Sequence, residues 1–500
     1  MTLAELLRAA PPRRAIGRVD VPVTGLRHDS REVTPGDLFF ALPGSKTDGN
    51  RHAREAVANG AVAVVSELEP PPPPAVLPGT WVVVDDAAEA MGRCADAFFE
   101  HPSGAMTVVG VTGTNGKTTT TYFLESAVAA AGGTAGVAGT IEYRLAGQRL
   151  AKAVNTTPIS LELTRLLARF RDGGATHALM EVSSHALALK RVETVDFDAC
   201  IFLNLTRDHL DFHKTVDAYF EAKSHLFELL ARAGNRKPRK VAALNYDDPR
   251  AHYLKKFAVG CDVVSFGLGP DAKDLRGTIL AADLNGSRFS LDWRGRKLEG
   301  SIRLPGPHNV SNALAAAAAL LGLGTPPEKV LAGLAGLAAV PGRLESIDEG
   351  QDFHVFVDFA HTDSALETVL TLLGGLPHKR LLTVFGCGGD RDKTKRGPMG
   401  VAACRAGDLA FLTSDNPRSE DPRAIIADVE ACIRAAGLQN YRIVPDRGEA
   451  VAAAIAEARP GDVVLIAGKG HETDQILRDR TVPFDDRDAA RAALKKLRGT

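Results

Sequence analysis

The sequence predicts an α/β protein of several domains, built on parallel sheets flanked by helices. Three observations lead there. Five hundred residues exceed what one hydrophobic core organises and suggest about three domains at typical sizes. Apolar runs of strand length alternate with helical patterns from about residue 105 onward, and such alternation makes parallel sheets. Polar clusters follow directly after these runs, in the position where open α/β sheets bind ligands.

Taken in order, Met1 to Arg8 mixes charge with apolar residues and reads as a short helix rather than a signal peptide. Ala61 to Val65 and Trp81 to Val84 are short apolar runs, separated by the exposed proline loop Pro70 to Pro74. Met106 to Val111 reads as a buried strand, followed by a helix from Thr119. Strands are expected at Ala178 to Val182 and Ala199 to Leu203, a long helix at Val216 to Leu230, and an Ala-rich helix at Asn312 to Leu321. Val340-Pro341-Gly342 marks a boundary. Beyond it, strands are expected at Val355 to Phe359, Leu381 to Phe385, Leu409 to Thr413 and Val463 to Ala467. The expected domains are 1–102, 103–339 and 340–500.

Composition narrows the class. Hydrophobic content of 45% with 24% charged residues is ordinary for a soluble globular enzyme. A formal net charge of −1 offers no electrostatic case for nucleic acid or an anionic membrane. The longest apolar stretch, Ala313 to Leu321, falls far short of a membrane span. Six scattered cysteines fit reduced thiols, and a cytoplasmic monomer is expected.

The segment Gly110-Val111-Thr112-Gly113-Thr114-Asn115-Gly116-Lys117-Thr118 carries the most chemistry. Glycines between a strand and a helix let backbone N–H groups surround phosphate oxygens, and the helix N-terminus adds partial positive charge. Lys117 then reaches the β/γ-phosphates of a nucleoside triphosphate, and the Thr118 hydroxyl reaches Mg²⁺. The match departs from the usual pattern at Val111, with glycines at 110 and 113 instead. Glu181 ends an apolar strand and is a candidate Mg²⁺ ligand, although a helix cap or strand-end charge reads the same way. His209 is a second candidate, against an ordinary core or surface histidine. Lys223 reads, on its residues alone, as a solvated lysine on a helix face. Arg418, in Asp415-Asn416-Pro417-Arg418, offers a planar fork for a carboxylate, or a proline turn with an exposed charge.

Together these motifs resemble the Mur ligases, ATP-dependent amino-acid-adding enzymes of bacterial peptidoglycan synthesis. The resemblance spans nearly the whole chain. It rests on Asp29-Ser30-Arg31, Pro35-Gly36-Asp37-Leu38-Phe39, Gly113 to Thr118, Asn155-Thr156-Thr157-Pro158 and Glu181-Val182-Ser183-Ser184-His185. It continues through Asn204 to Asp211, Gly306-Pro307-His308-Asn309, Pro341-Gly342-Arg343 and Asp415 to Arg418.

The resemblance implies three domains: a UDP-binding N-terminal domain, a central P-loop ATPase sheet and a C-terminal Rossmann-like domain for the amino acid. It implies that Ser30, Ser45, Lys46 and Thr47 line the uridine end. Asn155, Thr156, Thr157, Ser183 and Arg191 would hold the rest of a UDP-N-acetylmuramoyl-L-alanyl-D-glutamate substrate. Gly113, Thr114, Asn115, Gly116, Lys117, Thr118 and Thr119 would cradle ATP, with Asn309, Arg343 and Asp358 as further contacts. Two Mg²⁺ ions are implied, with Thr118, Glu181, His209 and Lys223 as ligands, Lys223 acting as its carbamate (N6-carboxylysine). Lys117, Lys223, His209 and Arg343 would carry the catalysis. The family often has Tyr where this chain has Phe359, and Leu189 and Lys190 replace polar or imidazole side chains of some members.

The implied chemistry is amide formation through an acyl phosphate. For the amino acid, Arg418 favours meso-diaminopimelate over lysine, because the diamino diacid carries a second carboxylate. Asn416 and Asp415 would serve the same ligand, with Arg391, Gly468 and Glu472 gripping its other end. The alternatives are a lysine-adding homologue, a folylpolyglutamate synthase-like ligase and a non-catalytic P-loop scaffold.

Overall fold

The computed structural model describes residues 1–44, 48–71 and 79–498. Ser45, Lys46 and Thr47, expected at the uridine end, lie outside them. The chain divides into two compact units. One comprises Met1–Gly277, Leu291–Lys297 and Ser311–Leu334; the other comprises Thr278–Ser290, Leu298–Val310 and Ala335–Thr500.

The first unit opens with the helix Leu3–Ala9, started by a capping box in which Thr2 and Glu5 satisfy each other's backbone N–H groups. Its first sheet runs Arg14–Ile16, Thr80–Val83, Ala63–Ser66, Asp37–Phe40, Gly25–Arg27. All neighbours in it are parallel except the Arg14–Ile16 edge. Both faces are buried: Leu38, Phe40, Val65 and Val82 pack on one side, Phe39, Val64 and Val83 on the other. That is the period-two signature of a sheet covered twice.

The second sheet of this unit places Thr107–Thr112 between His177–Glu181 and Ala199–Phe202, all parallel. Ala135–Ala138 extends one side, and Val241–Asn245 then Asp262–Gly267 the other. Val108, Met180, Cys200 and Phe202 anchor its core with Phe170, Phe197 and Phe227. Glycine at 110 is required here, since a Cβ would sit 2.8 Å from the Phe197 ring. Leu161, on the helix Ser160–Asp172, joins the core of the first sheet. Lys190 binds Asp86 and Glu89 at 2.8 and 2.9 Å. The departure from the family at Lys190 thus ties the second sheet's loops to the helix Ala87–Phe98 and its Asp86 cap.

The helix Val216–Ala231 starts on the Thr215 cap and buries Tyr219, Lys223, Leu226, Phe227 and Leu230. On its other side His225 lies 2.7 Å from Glu193 and 2.8 Å from Glu228. Glu193 first, then Glu228, raises the imidazole from its ordinary 6.5 to about 9, against the opposing effect of burial. A raised histidine stabilises the fold fully below its unfolded value, and that contribution disappears as pH climbs through about 9. The difference in denaturation midpoint between wild type and His225→Gln is therefore expected to be large near about pH 6 and gone by about pH 10. A difference that grows with pH would overturn the assignment.

In the second unit the sheet order is Glu345–Ser346, His354–Asp358, Val463–Ala467, Leu381–Cys387, Leu409–Ser414, Tyr441–Ile443. Only the Glu345–Ser346 edge is antiparallel. Phe356, Leu381, Phe385 and Leu465 face one core; Val355, Val357, Leu382, Val384 and Val464 face the other. The four expected strands are present, each within a residue or two of its predicted ends. The Ala-rich helix is longer than its apolar run, spanning Pro307–Leu323, because Pro307 supplies a preset first turn. The helix after the glycine loop starts at Lys117, two residues before the expected Thr119. Among the described residues no helix is long and apolar enough to cross a membrane.

Candidate functional site

In the first unit, the loop between Thr107–Thr112 and the helix Lys117–Ala130 is forced into shape by glycine. Gly116 has φ +89°, and a Cβ there would lie 2.2 Å from Asn312 Oδ1. A Cβ on Gly113 would lie 2.8 Å from that of Leu203. No side chain caps this helix, so its first N–H groups are presented to an incoming anion. Lys117 Nζ donates to the carbonyls of Gly113 and Thr114 at 2.9 and 3.0 Å. Thr118 and Thr119 are buried at the helix start. Asn204 clamps the loop: its Oδ1 accepts from Asn115 N at 2.9 Å, its Nδ2 donates to Asn115 O at 3.2 Å, and its carbonyl accepts from Thr114 N.

Lys223 is not on a solvated face, as its residue type alone suggests. It is only 1% exposed, with Nζ donating to Gly113 O at 3.0 Å and standing 4.3 Å from the Tyr219 ring centre. Burial first, then the positive charge of Lys117, drives its amine well below the usual lysine range, against a smaller upward pull from Asp208. The Tyr219 hydroxyl lies 3.2 Å from Thr114 Oγ1, so the helix Val216–Ala231 braces the glycine loop. His185, His209, Phe212 and His213 form a ring cluster beside Tyr219, with His185 and His209 centred 4.8 Å apart. His209 takes a left-handed φ of 52° and contacts Asp208 at 3.6 Å.

Glu181 is buried at its strand end, with Oε1 accepting from Thr140 N at 2.9 Å and Oε2 from Thr140 Oγ1 at 2.8 Å. Thr140 Oγ1 also meets Thr156 Oγ1 at 3.1 Å. Thr157 is fully buried: its hydroxyl donates to Glu181 O at 2.8 Å and accepts from Ser183 N at 3.1 Å. Its side chain shapes the loop, which leaves Asn155 and Thr156 as the accessible part of that motif. Ser183 caps the short helix Ser184–Ala188, and Arg191 donates to Thr157 O at 2.9 Å. Ser30 binds Glu55 at 2.7 Å in the first sheet's loops. Among the described residues no group of three or more His, Cys, Asp or Glu forms a metal cluster. The Glu181 carboxylate and Thr118 hydroxyl nonetheless suit Mg²⁺, a hard cation that keeps several waters and uses few protein oxygens.

In the second unit the strand ends bring a different set together. The Asp415-Asn416-Pro417-Arg418 turn abuts Gly388-Gly389: Gly389 N donates to Asn416 O at 2.9 Å, and a Cβ on Gly389 would lie 2.0 Å from Pro417 O. Arg418 sits at φ 52°, a region costly for a side-chain-bearing residue. Its Nη1 donates to Gly389 O at 2.8 Å. That fixes the guanidinium while leaving its Nε and Nη2 edge for two parallel bonds to a carboxylate. Arg391 flanks the same place: a Cβ at Gly388 would lie 3.0 Å from Arg418 Nη1 and 3.8 Å from Arg391 Cγ. Asn416 Nδ2 donates to Glu472 Oε2 at 2.9 Å. Asp415 Oδ1 accepts from Asn416 N at 2.6 Å, and its Oδ2 would lie 2.9 Å from a Cβ on Gly468. Beneath them Arg447 and Asp486 form a fully buried bidentate pair, both bonds 2.7 Å, with Arg447 Nη2 also donating to Ala467 O.

Asp358 is buried, its oxygens accepting from Leu344 N and Ala360 N at 2.8 Å, and burial raises its carboxyl above the ordinary range. Arg343 lies 4.9 Å from the Phe359 ring centre, so the family's usual tyrosine is replaced by a ring that packs under a guanidinium. Asn309 Nδ2 donates to Pro305 O at 2.8 Å. Asn204 entered only as the first residue of a motif; Thr140 and Tyr219 were not singled out by residue type. Their one sequence signal is position, each near a strand end or on the buried spacing of a helix beside the glycine loop.

The Mur ligase middle domain matches residues 111–320, the Mur ligase glutamate ligase domain residues 342–470, and the Mur ligase family catalytic domain residues 22–99. A relative from Solibacter usitatus, named UDP-N-acetylmuramoyl-L-alanyl-D-glutamate–2,6-diaminopimelate ligase, is 48% identical over 99% of this chain and 98% of its own. One of the same name from Geobacter metallireducens is 44% identical over 99% of both. A solved structure under that name aligns over 100% of both chains with a TM-score of 0.74 and 32% identity. The Thermotoga maritima MurF ligase in complex with ADP shares the fold at a TM-score of 0.61 and 19% identity, over 88% of this chain and 93% of its own. Glycine loop, strand-end clusters and near-full-length identity coincide, and the chain belongs to the Mur ligase family.

Proposed function

We propose that this chain joins meso-diaminopimelate to UDP-N-acetylmuramoyl-L-alanyl-D-glutamate with cleavage of ATP to ADP and phosphate, in the cytoplasm and as a monomer. The D-glutamyl side-chain carboxylate attacks the γ-phosphate, forming an acyl phosphate; an amine of the diamino acid attacks that carbonyl and phosphate leaves. Lys117 and the N–H groups of residues 113–119 position the triphosphate and neutralise charge on its oxygens. Asn309, Arg343 and Asp358 are further nucleotide contacts. Asn155, Thr156, Ser183 and Arg191 hold the UDP-substrate, with Ser30 and residues 45–47 at its uridine end. We assign the domains to 1–102, 103–339 and 340–500.

Thr118, Glu181, His209 and a carbamate on Lys223 would hold two Mg²⁺ ions, which would supply charge stabilisation during phosphoryl transfer. The burial that drives the Lys223 amine toward its neutral form supports this. Only a neutral amine adds to CO₂, forming a C–N bond and releasing a proton.

The observation that carries the choice of amino acid is Arg418, held through Nη1 with a two-donor edge left over, beside Arg391. Two guanidinium groups match the two carboxylates of a diamino diacid; lysine has one. The names of the relatives from Solibacter usitatus and Geobacter metallireducens support the same choice. The test is phosphate release with the UDP-dipeptide and either amino acid. Release is expected to require ATP, dipeptide and diaminopimelate together, with lysine poorer by at least about 10³-fold in kcat/KM. Equal rates with both amino acids would sink the substrate assignment, and release without the dipeptide would sink the ligase reading.

A further inference from the structure

Lys469 lies between two glycines that turn its side chain inward. Gly468 has φ +118° and Gly470 φ +53°, and a Cβ on Gly470 would lie 2.7 Å from that of Phe359. Lys469 is 0% exposed. Its Nζ donates to Asp474 O at 2.6 Å, Glu472 Oε2 at 3.1 Å and Asn416 Oδ1 at 3.3 Å. Three acceptors match the three donors of an ammonium. Asn416 is equally committed: its Oδ1 also accepts from Ile476 N at 2.9 Å, and its Nδ2 donates to Glu472 Oε2 at 2.9 Å.

Glu472 Oε2 thus receives two bonds, whereas among the described residues no hydrogen bond reaches Oε1. The Glu472 side chain remains 38% exposed. One oxygen is anchored to a buried cation and a buried amide; the other is presented outward as an acceptor. An outward carboxylate oxygen, held through Asn416 to the turn that carries Arg418, suits an ammonium neighbouring a carboxylate, which is the amino-acid end of a zwitterion.

We propose that Lys469 is a positioning residue for the incoming amino acid, acting by locking Glu472 and Asn416 so that Glu472 Oε1 receives the ammonium that does not react. This rests on the amide-ligase reading above. In that frame Asn416 acts mainly through Glu472, because its acceptor is already filled from inside the protein.

The test is steady-state kinetics of full-length Lys469→Met, Glu472→Gln and the double variant, following phosphate release. Lys469→Met is expected to raise KM for meso-diaminopimelate at least about tenfold, with kcat and the KM values for ATP and dipeptide within about twofold. In the Glu472→Gln background the same substitution should add less than about twofold, because the group it positions is already lost. If Lys469→Met does not accumulate folded, Lys469→Gln is read by the same criteria. An unchanged KM for diaminopimelate, losses that multiply in the double variant, or a parallel rise in KM for ATP would overturn the proposal. Wild type lacking diaminopimelate-dependent phosphate release would instead sink the parent reading and this one with it.

Discussion

Arg418→Ala is expected to lower kcat/KM for meso-diaminopimelate by roughly 10²–10³-fold while leaving the KM for ATP near wild type. The magnitude follows from truncating one partner of a charge-assisted bidentate contact, which costs about 2–5 kcal/mol in a desolvated site. Arg418→Lys should recover little, because an ammonium is a point charge without the planar fork and cannot keep the Gly389 anchor and two outward bonds at once. Selectivity should fall along with activity, since lysine does not use the lost contact. Steady-state kinetics with both amino acids decides it: a variant that still prefers diaminopimelate at undiminished kcat/KM would remove Arg418 from the recognition of the second carboxylate.

Lys117→Met should be more damaging to turnover, with kcat reduced on the order of 10³-fold. Removing one preorganised donor to developing charge commonly costs 10²–10³-fold, and Lys117 supplies a full charge. Its effect should fall on kcat rather than on the KM for diaminopimelate. Folding should be little changed, because the Gly113 and Thr114 carbonyls that Nζ meets belong to a loop also held by Asn204. Single-turnover measurement of γ-phosphate release, together with a melting curve, checks both statements. Retention of more than about a tenth of the wild-type rate would mean that backbone N–H groups alone carry the phosphates.

Much of this molecule can be read from residue order because parallel strands announce themselves as unbroken apolar runs. Val463–Ala467 falls where its five apolar residues place it, and the polar clusters after the strands contain Glu181, His209, Asp358 and Arg418 among the candidate site residues. Ends of elements were less legible: the helix Pro307–Leu323 begins among polar residues whose helical state depends on proline's fixed φ rather than on periodicity.

Lys223 is more instructive. Residue type places it in water, and the family resemblance alone suggested otherwise. Yet the spacing Tyr219, Lys223, Leu226, Leu230 puts it on the apolar stripe of its helix, a geometric signal independent of any relative. Thr140 and Lys469 escaped because their importance lies in what they hold: Thr140 binds Glu181 and Lys469 binds Asn416, pairings across long stretches of chain that one sequence does not reveal. Thr157 shows the reverse case, a motif residue whose hydroxyl faces inward and serves the loop.

The Arg447–Asp486 pair ties the helix Asp486–Arg498 to the sheet of the second unit. Asp486 opens the last helix, Asp486–Arg498, and neutralises a guanidinium sealed beneath the strand ends that bear the amino-acid residues. Asp415 stands 4.0 Å from the same guanidinium, beyond hydrogen-bond reach, so Asp486 supplies its short charge-assisted contacts. Removing Asp486 would strip a sealed arginine of its nearest counter-charge, so the strand ends above it depend on a carboxylate far along the chain.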